Sequence, residues 1–187
     1  MSLISTLEHF MNEFQKKYTI RALESSDIPQ LVEAFQKANW PKPASLFARY
    51  VQEQHRGERM AWLAYQDQHC LGYVTLAWVS QYAPFAQQNI PEIMDLNVLP
   101  AYRRQGIGRA LLHVAEQTAK SRGKKVGIGV GLYGGPDGGY DPAQCLYIQA
   151  GYVPDGLGVT YAYQPIIPGA MVCLDDELVF WLMKELK

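Results

Sequence analysis

The sequence holds only three cysteines, Cys70, Cys145 and Cys173, an odd number set far apart, with no Cys-x-x-Cys pair and no histidine at zinc-site spacing. That scarcity excludes a disulfide framework and a structural zinc module, and reduced thiols in a cytoplasmic protein are expected. Excess charge of one sign is lacking too: 17 Lys and Arg against 18 Asp and Glu leave a formal net charge of -1 over 187 residues. Basic residues gather only around Arg103, Arg104 and Arg109, so no nucleic-acid partner is expected. No apolar run approaches a membrane span, and charges throughout residues 1–17 argue against a signal peptide or anchor. Asp137 and Asp141 flank a glycine-rich turn whose spacing fits no cation-binding loop, so no metal is expected.

What is present is a chain 48% apolar, enough for one ordinary core. The expected organisation is an N-terminal helical extension, 1–17, started by the capping box Ser5-Thr6-Leu7-Glu8, followed by a single domain, 18–187. Period-two patterns predict strands at 18–23, 59–66, 71–80, 90–99, 125–132, 158–163 and 178–186. Period-3.6 patterns with caps predict helices from Ile28, over 44–54, from Ile107 toward Gly123, and over 141–150. Residues 81–89 read as loop. In 125–132 glycines alternate with Val126, Ile128 and Val130, which marks close approach by a ligand or another backbone. The fold class is α/β of the α+β type, a mixed sheet flanked by helices.

The chemistry concentrates in MDLNVLPAYRRQGIGRALL, residues 94–112. An apolar strand stops at Pro100, and a loop with two arginines and two glycines leads into a helix whose core face is Ile107, Leu111, Val114 and Thr118. Glycines let a backbone approach a ligand, and cations beside unsatisfied helix amides bind phosphate. The stretch is no Walker loop, since no Gly-Lys-Ser/Thr follows, and no Rossmann fingerprint, since the third glycine is missing. With Arg103, Gly106 and Gly108 at the fixed positions of Arg/Gln-x-x-Gly-x-Gly/Ala, it resembles the signature of the GNAT superfamily of acetyl-CoA-dependent N-acetyltransferases. A later stretch is similar to a second block of that superfamily, matching at Ala143, Tyr147, Gly151 and Tyr152; Tyr140 stands where the family has asparagine. The element order also resembles the GNAT fold, a mostly antiparallel mixed sheet with splayed central strands, behind an extra N-terminal helix.

The resemblance implies acetyl-CoA as cosubstrate and an amine as acceptor, a small molecule, peptide or protein, with direct attack in a ternary complex. It places the cofactor on the backbone of Leu96, Asn97 and Val98 and on Arg103, Arg104, Gln105, Gly106, Ile107, Gly108 and Arg109. It gives Tyr147 the general-acid position and Glu92 that of a base acting through water. The alternatives are a core aromatic for Tyr147 and a solvated strand-start glutamate for Glu92. Even spacing sets Glu92 on the face of Val98 and Asp95 on the other. Trp40, Trp78, Tyr82, Tyr133 and Tyr140 fall in segments that border the acceptor cleft of this fold. Two other readings stay open: a non-catalytic acyl-CoA-binding or sensor module, and an acyltransferase with a different donor. The N-terminal helix and apolar last strand are compatible with a homodimer.

Overall fold

The computed structural model describes residues 18–134 and 139–187. The expected helix in 1–17 and Asp137 lie outside the described residues. Among the described residues eight strands form one mixed sheet: β1 (Thr19–Ala22), β2 (Arg59–Gln66), β3 (His69–Ala77), β4 (Glu92–Val98), β5 (Lys125–Gly131), β6 (Val153–Tyr161), β7 (Gln164–Pro165) and β8 (Leu178–Glu185). Their order across the sheet is β1-β2-β3-β4-β5-β8-β6-β7. Only β4 and β5 run parallel, joined by the crossover helix α4 (Ile107–Lys120). On the other face pack α1 (Ile28–Lys37) and α2 (Ala44–His55). A short helix, α3 (Ala83–Gln87), lies inside the segment expected to be loop, and α5 (Asp141–Gln149) precedes β6. Among the described residues no helix is long and apolar enough to cross a membrane.

Each face carries its own core. Leu31, Phe35, Phe47 and Tyr50 pack on Leu63 and Tyr73 beneath α1 and α2. Leu111, Leu112, Ala115 and Ala119 of α4 pack on Val74, Leu76, Ile93 and Val126. Each fully buried Leu or Phe contributes about 1.5–3 kcal/mol relative to exposure, so the amphipathic stripes of the helices fix which side each one covers. Asp67 and Gln68 are both left-handed, as the two-residue turn joining β2 to β3 requires.

Two irregularities shape the centre of the sheet. Strand β4 pairs with β5 only at Glu92↔Gly127 and Ile93↔Ile128, after which the two strands part. In the same stretch β4 carries a bulge: three residues of β3, Tyr73 to Thr75, face four of β4, Met94 to Asn97, with Asp95 at φ 53°. The extra residue pushes β4 against β3, where a Cβ on Gly72 would overlap the Asn97 carbonyl oxygen and crowd the Val98 Cα. Both obstacles are backbone, so Gly72→Ala should destabilise the fold by about 1–3 kcal/mol. Urea unfolding measures this, and an unchanged midpoint would mean that the bulge yields freely.

Strand β5 departs from expectation in an instructive way. Its glycines do make room for close approach, but for rings of the same chain. A Cβ at Gly127 would strike Phe85, at Gly129 the Val179 and Trp181 side chains, and at Gly131 Tyr140.

Candidate active site

Where β4 leaves β5, its backbone has an open edge. Gly127 N–H donates to Pro91 O on the β5 side and Leu99 N–H to Leu71 O on the β3 side. Alternation along the strand therefore turns the amides of Leu96 and Val98 toward the open edge. Asn97, expected to serve the same purpose, instead turns its backbone toward β3, where it pairs with Tyr73. Its buried side chain donates to Asp95 O at 3.0 Å and so holds the bulge.

The glycine loop completes this edge. Gly106 caps α4 in the left-handed region, φ 79°, with no side-chain cap. The helical ladder begins with Ala110 N–H on Gly106 O, which leaves the amides of Ile107, Gly108 and Arg109 without intrahelical acceptors. Partial positive charge gathers there, beside exposed Arg104 and Gln105. Gly108 sits over the Val98 and Leu146 side chains, joining loop to strand, while Ile107 is core. Two of the expected cations point elsewhere. Arg103 donates from Nε to Val98 O at 3.2 Å and leans over the Trp40 ring, and Arg109 reaches across to Gln149 of α5. The groups at this corner free to meet an anion are thus the backbone amides and Arg104 rather than all three arginines.

Tyr147 of α5 belongs to the core on the α4 side, its ring 5.9 Å from that of Tyr152. Burial, and after it the charge of Asp95, raises its pKa well above that of an ordinary phenol. It therefore stays protonated, the state a proton donor needs.

The register corrects the expected placement of the acids. Glu92 pairs with Ala77, and Val98 with Gly72 on the opposite face, because the bulge adds one residue between them and flips the parity. Glu92 and Asp95 both lie on the α1/α2 face: Asp95 Oδ2 accepts the Tyr50 hydroxyl at 2.6 Å. Glu92 is 3% exposed, and its Oε2 accepts from Ser80 Oγ at 2.5 Å. Ser80 Oγ itself accepts from Tyr82 N–H, which commits its proton to Glu92. Burial pushes the Glu92 carboxyl up to about 7; the Ser80 bond and the Arg59 charge oppose this, and the Asp95 charge adds to it. Arg59 is held by Glu53, donates to Thr75 Oγ1 at 2.7 Å and lies over the Tyr50 ring.

Aromatic residues finish the α1/α2 side. Tyr82 stacks on Trp181 at 4.1 Å and donates to Asp155, whereas Tyr140, which packs against the α4-side core, donates with Tyr133 to Asp176. Trp40 packs on Phe35. Trp78 belongs to the other face, under the Arg122 guanidinium. Pattern reading missed Tyr50, Arg59, Ser80 and Trp181, since no motif links α2, β2, the turn after β3 and β8. The available signal was the hydrophobic stripe that set Tyr50 and Phe47 on one helix face.

A parted central strand beside an uncapped glycine turn is the arrangement expected from the signature. The model of the Acetyltransferase (GNAT) family matches residues 8–132, two thirds of the sequence. The chain belongs to the GNAT acetyltransferase family. Compared by sequence with curated proteins, it has no significant match. Solved structures share the GNAT fold at low identity. That of yncA from Salmonella typhimurium, determined with its cofactor acetyl-CoA, is 16% identical, with a TM-score of 0.65 over 92% of this chain and 95% of that one. The Vibrio cholerae spermidine/spermine N-acetyltransferase is 16% identical, TM-score 0.61, over 92% and 95% of the two chains. The Escherichia coli ribosomal-protein-S18-alanine N-acetyltransferase is 20% identical, TM-score 0.62, over 90% and 94%. GNAT membership supports acetyl-CoA as the cosubstrate, and the residues fit it: free amides lie at the α4 N-terminus for a pyrophosphate and along the β4 edge for an acyl-pantetheine arm.

Proposed function

We propose that the protein is an N-acetyltransferase that passes the acetyl group of acetyl-CoA to a primary amine by direct attack in a ternary complex. The observation that carries this reading is the open edge of β4, which joins the uncapped end of α4 to the face bearing Glu92. Phosphates at the α4 corner leave the α1/α2 face as the approach for an acceptor. Acetyl-CoA supplies the thioester, whose carbonyl carbon bonds to the amine nitrogen as its C–S bond breaks. Glu92, ionised above about pH 7, takes the amine proton, directly or through water. The Leu96 and Val98 amides face the developing oxyanion, a contribution of roughly 3 kcal/mol for each well-placed donor. Tyr147 O–H protonates the departing thiolate.

Thiol release from acetyl-CoA with pooled amines and peptides, followed by mass spectrometry of the products, tests the reading. Cofactor binding with no acceptor modified across a broad panel would favour a non-catalytic acyl-CoA-binding module. The structural neighbours act on acceptors as different as spermidine and a ribosomal protein, so the family leaves the acceptor open.

Gly106→Val bears on the phosphate seat. Space around Gly106 is open, but a β-branched residue at φ 79° is strained, and relief of that strain swings the neighbouring amides away. Acetyl-CoA affinity should fall at least about tenfold by calorimetry, the equivalent of one lost charge-assisted hydrogen bond. Unchanged affinity in a folded variant would move the phosphates elsewhere.

A further inference from the structure

We propose that Asp95 receives the acceptor's protonated amine, and that the acceptor is a small organic amine with no carboxylate beside its amino group. This rests on the acetyl-transfer reading above.

Asp95 occupies the one bulge of β4, in left-handed backbone, at the point where the strand has lost β5. Strain of that kind persists where the surroundings over-determine it, and here they do: Asn97 holds the backbone oxygen and Tyr50 holds Oδ2. The carboxylate is thereby aimed and only half-buried, with Oδ1 left to accept. Tyr73 stands near enough to feel its charge, and its buried hydroxyl makes no hydrogen bond to it. Among the described residues no lysine, arginine or histidine forms an ion pair with Asp95. A carboxylate fixed by one phenol and lacking a cation suits an incoming ammonium, which brings three donors.

Its position in the site is equally specific. The Asp95 charge is felt both by Glu92, on the same face of the sheet, and by Tyr147. The neighbouring charges explain the selectivity. Arg59, the cation that acts on Glu92 on this face, is already engaged by Glu53 and Thr75. A carboxylate next to the acceptor's amine would face Asp95 and Glu92 together, and like charges in a partly dry site repel. Tyr163, half-buried and close enough to feel the Glu92 and Asp95 charges, offers its ring to the body of an organic cation instead.

The test uses the full chain saturated with CoA and two pairs of probes that differ by one carboxylate beside the sole amine, butylamine against norvaline and 2-phenylethylamine against phenylalanine. By calorimetry the amine of at least one pair should bind, and its carboxylated partner at least about tenfold more weakly. Asp95→Asn keeps a residue that tolerates left-handed backbone, so the bulge should survive. It should weaken amine binding by about ten- to a hundredfold and raise the amine KM more than it lowers kcat, with CoA affinity unchanged. Should that variant fail to fold, Tyr50→Phe frees the carboxylate without touching β4 and should weaken the amine about three- to tenfold. Equal binding of the carboxylated partners, no amine binding by a protein that binds CoA, or full amine affinity in a folded variant would each overturn the assignment. Failure of the wild-type protein to bind CoA would instead remove the transfer reading itself, and this assignment with it.

Discussion

Tyr147→Phe is expected to lower kcat by about a hundred- to a thousandfold and to leave the acetyl-CoA dissociation constant unchanged. The phenol lies in the core that α4 and α5 make with the sheet, and phenylalanine keeps the ring contact with Tyr152. Loss of one hydroxyl that is not part of a hydrogen-bonded network costs the fold little, so a melting curve should scarcely move. Burial and the Asp95 charge both hold the phenol in its protonated form, so the wild-type enzyme should show no alkaline fall in rate below the ordinary tyrosine range. Steady-state rates and calorimetry separate the two effects. A variant that turns over like wild type would make Tyr147 a packing residue and leave the thiolate to find its proton from water.

Glu92→Gln carries the second large effect. At pH 8 its rate should be about a hundredfold below wild type, and the acidic limb of the wild-type kcat/KM profile, centred near pH 7, should vanish. The same carboxyl gives a stability signature of definite sign. Its folded-state pKa, about 7, lies above its unfolded-chain reference of 4.5, so the folded protein holds a proton that the unfolded chain has released. The stability this contributes is fully present below about pH 4.5 and lost as pH rises through 7, about 3 kcal/mol in all. Glutamine has no charge to desolvate. In urea the variant should therefore be more stable than wild type at pH 8, with the gap closing toward pH 4.5. Parallel stability curves from pH 5 to 8 would show that Glu92 is more hydrated than its position implies, and would weaken its candidacy as a base.

Much of this architecture was legible from local pattern. The stripe from Ile107 onward, the stop at Pro100, the turn at Asp67 and the glycine at 106 each follow from one residue's physics, and the structure places each accordingly. The errors share a different origin. Assigning Asp95 to the far face assumed an unbroken period of two, and a bulge has no local signature in Met94-Asp95-Leu96-Asn97; it becomes visible only against Gly72, twenty-odd residues earlier. The role of Arg103 depended on which acceptor lay nearer, a phosphate or the Val98 carbonyl, and sequence does not encode that distance. The five-residue helix α3 is too short to show a period, yet it supplies the ring that covers Gly127.

The glycines of β5 bear on the order in which the molecule can assemble. A strand with a glycine at every second position has weak intrinsic preference for extended structure and no side chains on that face to hold it in place. Its support comes from Phe85, which precedes it, and from Trp181 and Tyr140, which follow. Its outer neighbour β8 is also the last strand of the eight, inserted between β5 and β6 rather than added at the rim. During synthesis β1 to β4 can pair as soon as they emerge, whereas the β5 side of the open edge has no outer neighbour until Leu178–Glu185 has been made. Capacity to transfer an acyl group should accordingly arrive late and all at once, with the closing of the sheet rather than with its nucleation.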